Sequence, residues 1–81
     1  MGAKIRGARE SATMTQDQLA VAAEIDSSNI RAYESGRALP SIHTLLRIAD
    51  ALGTPLTYFL EDLRLGMFPA NETDRRRRRA L

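Results

Sequence analysis

Between Thr15 and Gly36 the chain reads TQDQLAVAAEIDSSNIRAYESG, a stretch that starts a helix, ends it and starts another within a very short span. Thr15 is a good N-cap. Gln18, three residues on, completes a capping-box pattern in which two side chains satisfy two amides at the helix start. Asp17 sits in the first turn, where the helix dipole favours an anion. Met14 precedes the cap and can staple to an apolar face made by Leu19, Ala22 and Ala23, with Ala20 allowing close packing. This predicts a helix over about residues 16–23. Asp26 is the next cap, opening a helix over about 27–34. Ile30 and Tyr33 turn inward there, and Ser27, Ser28, Asn29, Arg31 and Ala32 are left largely outside. Gly36 is a stop signal. Two short helices joined by a tight turn are the sequence form of a helix-turn-helix.

The flanking segments are helical too. Residues 3–12 place Ile5, Ala8 and Ala12 on one face, a weak stripe because two of its members are alanines. Ser41 caps a fourth helix over 42–52, with Ile42, Leu45, Ile48, Ala49 and Leu52 at helical spacing, Leu46 adding width and Gly53 as the stop. Thr54 caps a fifth, with Pro55 at its first position and Leu56, Phe59, Leu60 and Leu63 as the apolar stripe. No strand pattern competes. The expected fold is all-α, a compact domain of five short helices over residues 1–68. Gly66 and Pro69 close it, and an arginine-rich tail, expected to be mobile, follows over 69–81.

Size and chemistry narrow the function. With 81 residues the chain has room for one domain with a thin core, which a partner subunit would help. The absence of cysteine excludes disulfides and thiolate metal sites, and a single histidine, His43, leaves metal chemistry and catalysis without a constellation. No cofactor is implied and no enzyme is expected. Nothing resembles a signal peptide or a membrane span, so a cytoplasmic protein is expected. The net charge of +2 is unevenly placed. Residues 1–68 are close to neutral, whereas Arg75 to Arg79 make the tail basic. Bulk charge therefore carries no argument for nucleic acid; the position of each charge must.

Those positions point to DNA. A helix about 10–12 Å across fits the major groove of B-DNA. Ser27, Ser28 and Asn29 are short hydrogen-bonding residues, and Arg31 can donate two bonds to guanine or grip a phosphate. Ala32 offers apolar contact, and Arg37 follows as a phosphate contact. The amides of residues 16–18, with the Gln16 side chain, are placed to receive a phosphate.

The segments Met14 to Ala20, Ile25 to Ile30, Tyr33 to Arg37 and Pro40-Ser41, with LLRIADALG at 45–53 and LTYFL at 56–60, resemble the Cro/phage-repressor, or XRE-like, helix-turn-helix family over roughly residues 3–63. The resemblance implies a lambda-repressor-like five-helix DNA-binding domain that dimerises on palindromic operators. By position it implies that Gln16 binds phosphate and buttresses the recognition helix. It further implies that Ser27, Ser28, Arg31 and Ala32 read bases, and that Asn29 contacts base or backbone. Ser35 and Arg37 match backbone contacts, and Arg9 and Glu34 match a structural charge pair. One departure is Glu24, where many members carry glycine in a left-handed turn. The family reading is a transcriptional regulator, a repressor acting by operator occupancy, working as a homodimer without a membrane partner. Leu60, Leu63, Leu65, Met67 and Phe68 are candidates for the dimer surface. Alternatives are an antitoxin that also masks a toxin, a restriction-modification controller, or a protein-interaction module without DNA binding. The arginine tail is a candidate phosphate clamp.

Overall fold

The computed structural model describes residues 1–61 and 63. Within them lie five helices: α1 (Gly2–Ser11), α2 (Gln16–Ala23), α3 (Ser27–Ser35), α4 (Ile42–Leu52) and α5 (Leu56–Leu60). There is no strand among the described residues. The expected boundary at residue 68, the apolar residues Leu65, Met67 and Phe68, and the tail with Arg75 to Arg79 lie outside the described residues.

The core draws on every helix: Ile5 from α1, Leu19, Ala20 and Ala23 from α2, Ile30 from α3, Leu45, Ile48 and Ala49 from α4, and Phe59 from α5. Tyr33, Ile25, Leu56 and Leu60 pack around it, half-buried. Burying each large apolar side chain contributes roughly 1.5–3 kcal/mol, so this small set of residues carries most of the drive to fold. α2 packs against both α3 and α4, and α1 closes the other side of α3. The outer face of α3 stays in solvent.

Four of the five helices end in the same way. A residue in the left-handed region turns the chain, and the last carbonyls are taken up by the two amides that follow, a Schellman arrangement. Gly36 (φ 81°) and Gly53 (φ 62°) do this after α3 and α4, as expected of stop signals. After α1 the position is Thr13 (φ 59°), whose amide reaches Glu10 O while that of Met14 reaches Arg9 O. After α2 it is Glu24 (φ 57°), with Ile25 N bonded to Ala20 O at 2.9 Å. The glutamate therefore takes the left-handed path itself. Side chains at that φ cost about 1–2 kcal/mol, most for β-branched residues such as Thr13.

Several local expectations are corrected. Ala22 is exposed. The α2 stripe centres between Leu19, Ala20 and Ala23, and at about 100° per residue Ala22 falls to its side. Ala12 is exposed past the end of α1. Ile42 is 58% exposed and Leu46 48%. Ile42 lies in the first turn of α4, beyond the helices that cover Leu45 and Ile48, and Leu46 sits at the stripe's edge. Pro55 is the N-cap of α5 rather than its first residue. Thr54 makes no cap bond there; its hydroxyl donates back to Leu52 O at 3.4 Å. Asp26 occupies the N-cap of α3 without a side-chain cap bond.

Candidate nucleic-acid interface

The turn between α2 and α3 is short, spanning residues 24–26. At the start of α2 the capping box is present: Gln18 N donates to Thr15 Oγ1 at 3.1 Å and Thr15 N donates to Gln18 Oε1 at 2.8 Å. This takes the Gln18 amide out of the expected anion seat at 16–18 and leaves those of Gln16 and Asp17 there. Glu24 then reverses the chain, and Asp26 opens α3.

A single carboxylate fixes how α3 sits. Glu34, with a side chain 3% exposed, accepts from Arg9 Nε at 2.7 Å and from Arg9 Nη2 at 3.0 Å, a two-pronged pair. It also accepts from Gln16 Nε2 at 3.2 Å. Arg9 Nη1 completes the set by donating to Met14 O at 2.7 Å. One side chain of α3 is thereby bound to α1, to the start of α2 and, through Arg9, to the connection between them. The bond to Glu34 is the chief cause that raises the Arg9 pKa above its ordinary value, with burial opposing it. Gln16 is half-buried and bridges the helices, matching the buttress role that the resemblance implied for it.

On the outer face of α3, Ser28, Asn29 and Arg31 are exposed. No side-chain hydrogen bond engages Ser28 or Asn29 among the described residues. Ser27 is half-buried, and its Oγ accepts from Arg31 Nη1 at 3.3 Å. Arg31 Nη2 lies 3.2 Å from Asp17 Oδ1. Ala32 is half-buried because the chain after α3 folds over it: Ala32 O accepts from Arg37 N at 2.9 Å, Ala38 N at 3.3 Å and Ser35 Oγ at 3.1 Å. Ser35 Oγ in turn accepts from Arg37 Nε at 3.1 Å, so the two expected backbone-contact residues stand together and exposed at the end of α3.

A helix-turn-helix family profile matches residues 5–59, from Ile5 in α1 to Phe59 in α5. The chain belongs to the helix-turn-helix family, of the Cro/phage-repressor (XRE-like) kind. It is also 35% identical over 66 residues to an uncharacterized transcriptional regulator in the ATPase CF(0) region of Rhodospirillum rubrum. That match covers 82% of this chain and 61% of the relative, so the chain spans about three-fifths of the relative's length. Membership of this family identifies the matched residues as a helix-turn-helix domain. No group of His, Cys, Asp or Glu is placed to hold a metal ion among the described residues. No helix there is long and apolar enough to cross a membrane.

Two features of this helix-turn-helix are not visible in residue spacing. Asp17 reads as a helix-start acid, yet it also faces Arg31 across the motif. Gly2 in α1 lies so close to α3 that a Cβ on it would stand 2.5 Å from Tyr33 O and 2.7 Å from Glu34 O. Neither contact has a signal in sequence, because each joins positions on separate helices through their three-dimensional packing.

Proposed function

We propose that this chain is a sequence-specific, double-stranded-DNA-binding transcriptional regulator that represses by occupying an operator as a dimer. The observation that carries the reading is the outer face of α3. Ser28, Asn29 and Arg31 are presented to solvent on a helix whose orientation is fixed by Glu34, Arg9 and Gln16. In this reading Ser27, Ser28, Asn29, Arg31 and Ala32 face base edges, with Arg31 the strongest donor. Gln16, Ser35 and Arg37, with the free amides at the start of α2, take phosphates and fix the register. The name of the Rhodospirillum rubrum relative supports a regulatory role.

A dimer follows from the length of the reader. One short helix contacts few base pairs, and two half-sites about one helical turn apart repair that. The structure supports a surface for it: Met1, Leu39, Pro40, Ser41, Ile42, Leu45, Leu60 and Leu63 line one apolar groove. Leu60 packs partly on the core, so Leu39 and Ile42 join Leu63 as the residues a second copy would cover.

Selection from randomised duplexes, followed by sequencing, tests the reading. A two-fold symmetric site is expected, and Arg31→Ala is expected to weaken binding to it by about 10- to 100-fold and to relax one position of each half-site. A chain ending at Asp74 is expected to keep the same site with weaker, less salt-sensitive binding, because each phosphate contact adds to the salt slope. Enrichment of no site at all would overturn the regulator reading.

A further inference from the structure

Arg31 is the only charged side chain on the outer face of α3, and it does not stand alone in solvent. Its Nη2 lies 3.2 Å from Asp17 Oδ1 and its Nη1 3.3 Å from Ser27 Oγ. Both ends of the ion pair are open to water, Arg31 at 50% and Asp17 at 72% exposure. The pair joins the two helices of the motif on the very face that the DNA-binding reading turns toward the duplex.

A carboxylate in that place is at odds with simple phosphate gripping. Asp17 sits in the helix turn whose amides would attract an anion, and its own charge repels one. It also ties down a side chain that otherwise has many rotamers. A guanidinium carries several N–H donors in a rigid plane, so bonds to Asp17 and Ser27 leave others free for a base edge.

We propose that Asp17 is a positioning and specificity-determining residue, which together with Ser27 holds the Arg31 guanidinium in one orientation for base reading while its charge repels the phosphates of any duplex. The proposal rests on the DNA-binding reading. It has two consequences. Ordering Arg31 before binding removes part of the entropy that a base contact must overcome, so the correct site gains. The negative charge penalises every duplex through its phosphates, and only a duplex that uses the oriented arginine recovers the loss.

Asp17→Asn keeps the side-chain shape and removes the charge. Affinities would be measured at several salt concentrations for the selected duplex and for a scrambled duplex of equal length and composition. Asp17→Asn is expected to raise affinity for the scrambled duplex about threefold and to leave or lower that for the selected one, so that their ratio falls by about threefold or more. With Arg31→Ala already present, the same change is expected to raise both affinities alike. An equal rise on both duplexes in the chain that retains Arg31 would overturn the proposal, leaving Asp17 as bulk charge. If the unmodified chain prefers no duplex over the scrambled one, the DNA-binding reading itself fails, and the positioning role falls with it.

Discussion

Glu34 carries the largest share of structure of any polar residue described. Its carboxylate is nearly inaccessible and is bonded to Arg9 and Gln16. Removing one partner of a buried pair leaves the other charge unsatisfied, at a cost of about 3–5 kcal/mol. Glu34→Ala is therefore expected to lose roughly 3 kcal/mol in urea unfolding. Double substitution of Arg9 and Glu34 by apolar residues should recover much of that loss. Because Arg9 has its pKa raised, the stability it gains is present below its unfolded pKa and is lost only as pH climbs through the folded value, in strong alkali. The deprotonation of Arg9 accordingly contributes no slope to stability across the neutral range. Glu24 supplies the opposite case. Its φ of 57° is a conformation that glycine adopts without strain. Glu24→Gly is expected to raise stability by about 0.5–1 kcal/mol in urea unfolding, whereas Glu24→Ala should give no gain.

At the scale of elements, the weakest is α5, five residues long with Phe59 as its buried anchor. Lys4 of α1 clasps it from outside: Nζ lies 4.7 Å from the centre of the Tyr58 ring, donates to Tyr58 O at 3.0 Å and reaches Glu61 at 3.1 Å. Those contacts are partly exposed and contribute little beside the aromatic anchor. Phe59→Ala is expected to cost about 3–5 kcal/mol, enough to show in circular dichroism as a large drop in melting temperature. The helices themselves were legible in spacing and caps. Thr15 with Gln18, Ser41, Gly36 and Gly53 each act on neighbours within a few residues, and such signals survive in one dimension. Sequence alone sets Pro55 one position too far into α5, because its fixed φ suits the N-cap and the first turn alike. Spacing points Ile42 inward because it fixes a direction around a helix but not which neighbour, if any, covers it.

At the scale of the molecule, the family and the arrangement of α2 and α3 could be read from sequence because caps, turn and apolar positions agree over most of the chain. The Asp17–Arg31 contact, the approach of Gly2 to α3 and the apolar groove could not, since each is made where separate helices meet. The groove carries the whole-molecule prediction. On the proposed dimeric reading, Leu39→Glu or Ile42→Glu is expected to shift the protein from dimer to monomer in sedimentation and to weaken binding to a symmetric site far more than to one half-site. Both residues are exposed, so the fold itself should survive, with unchanged helical circular dichroism.

The shared carboxylate of Glu34 has a consequence for how the domain comes apart. The full set of its bonds exists only when α1, α2 and α3 are docked together, and α3 cannot leave without breaking every one of them. Opening of the reading helix forfeits the three bonds to Glu34 together with the burial of Ile30. The amides of α3 should then exchange with deuterium at the rate of the deepest core rather than that of a surface helix. In a cell, such a molecule would offer proteases either the intact reader or an unfolded chain, with almost nothing between.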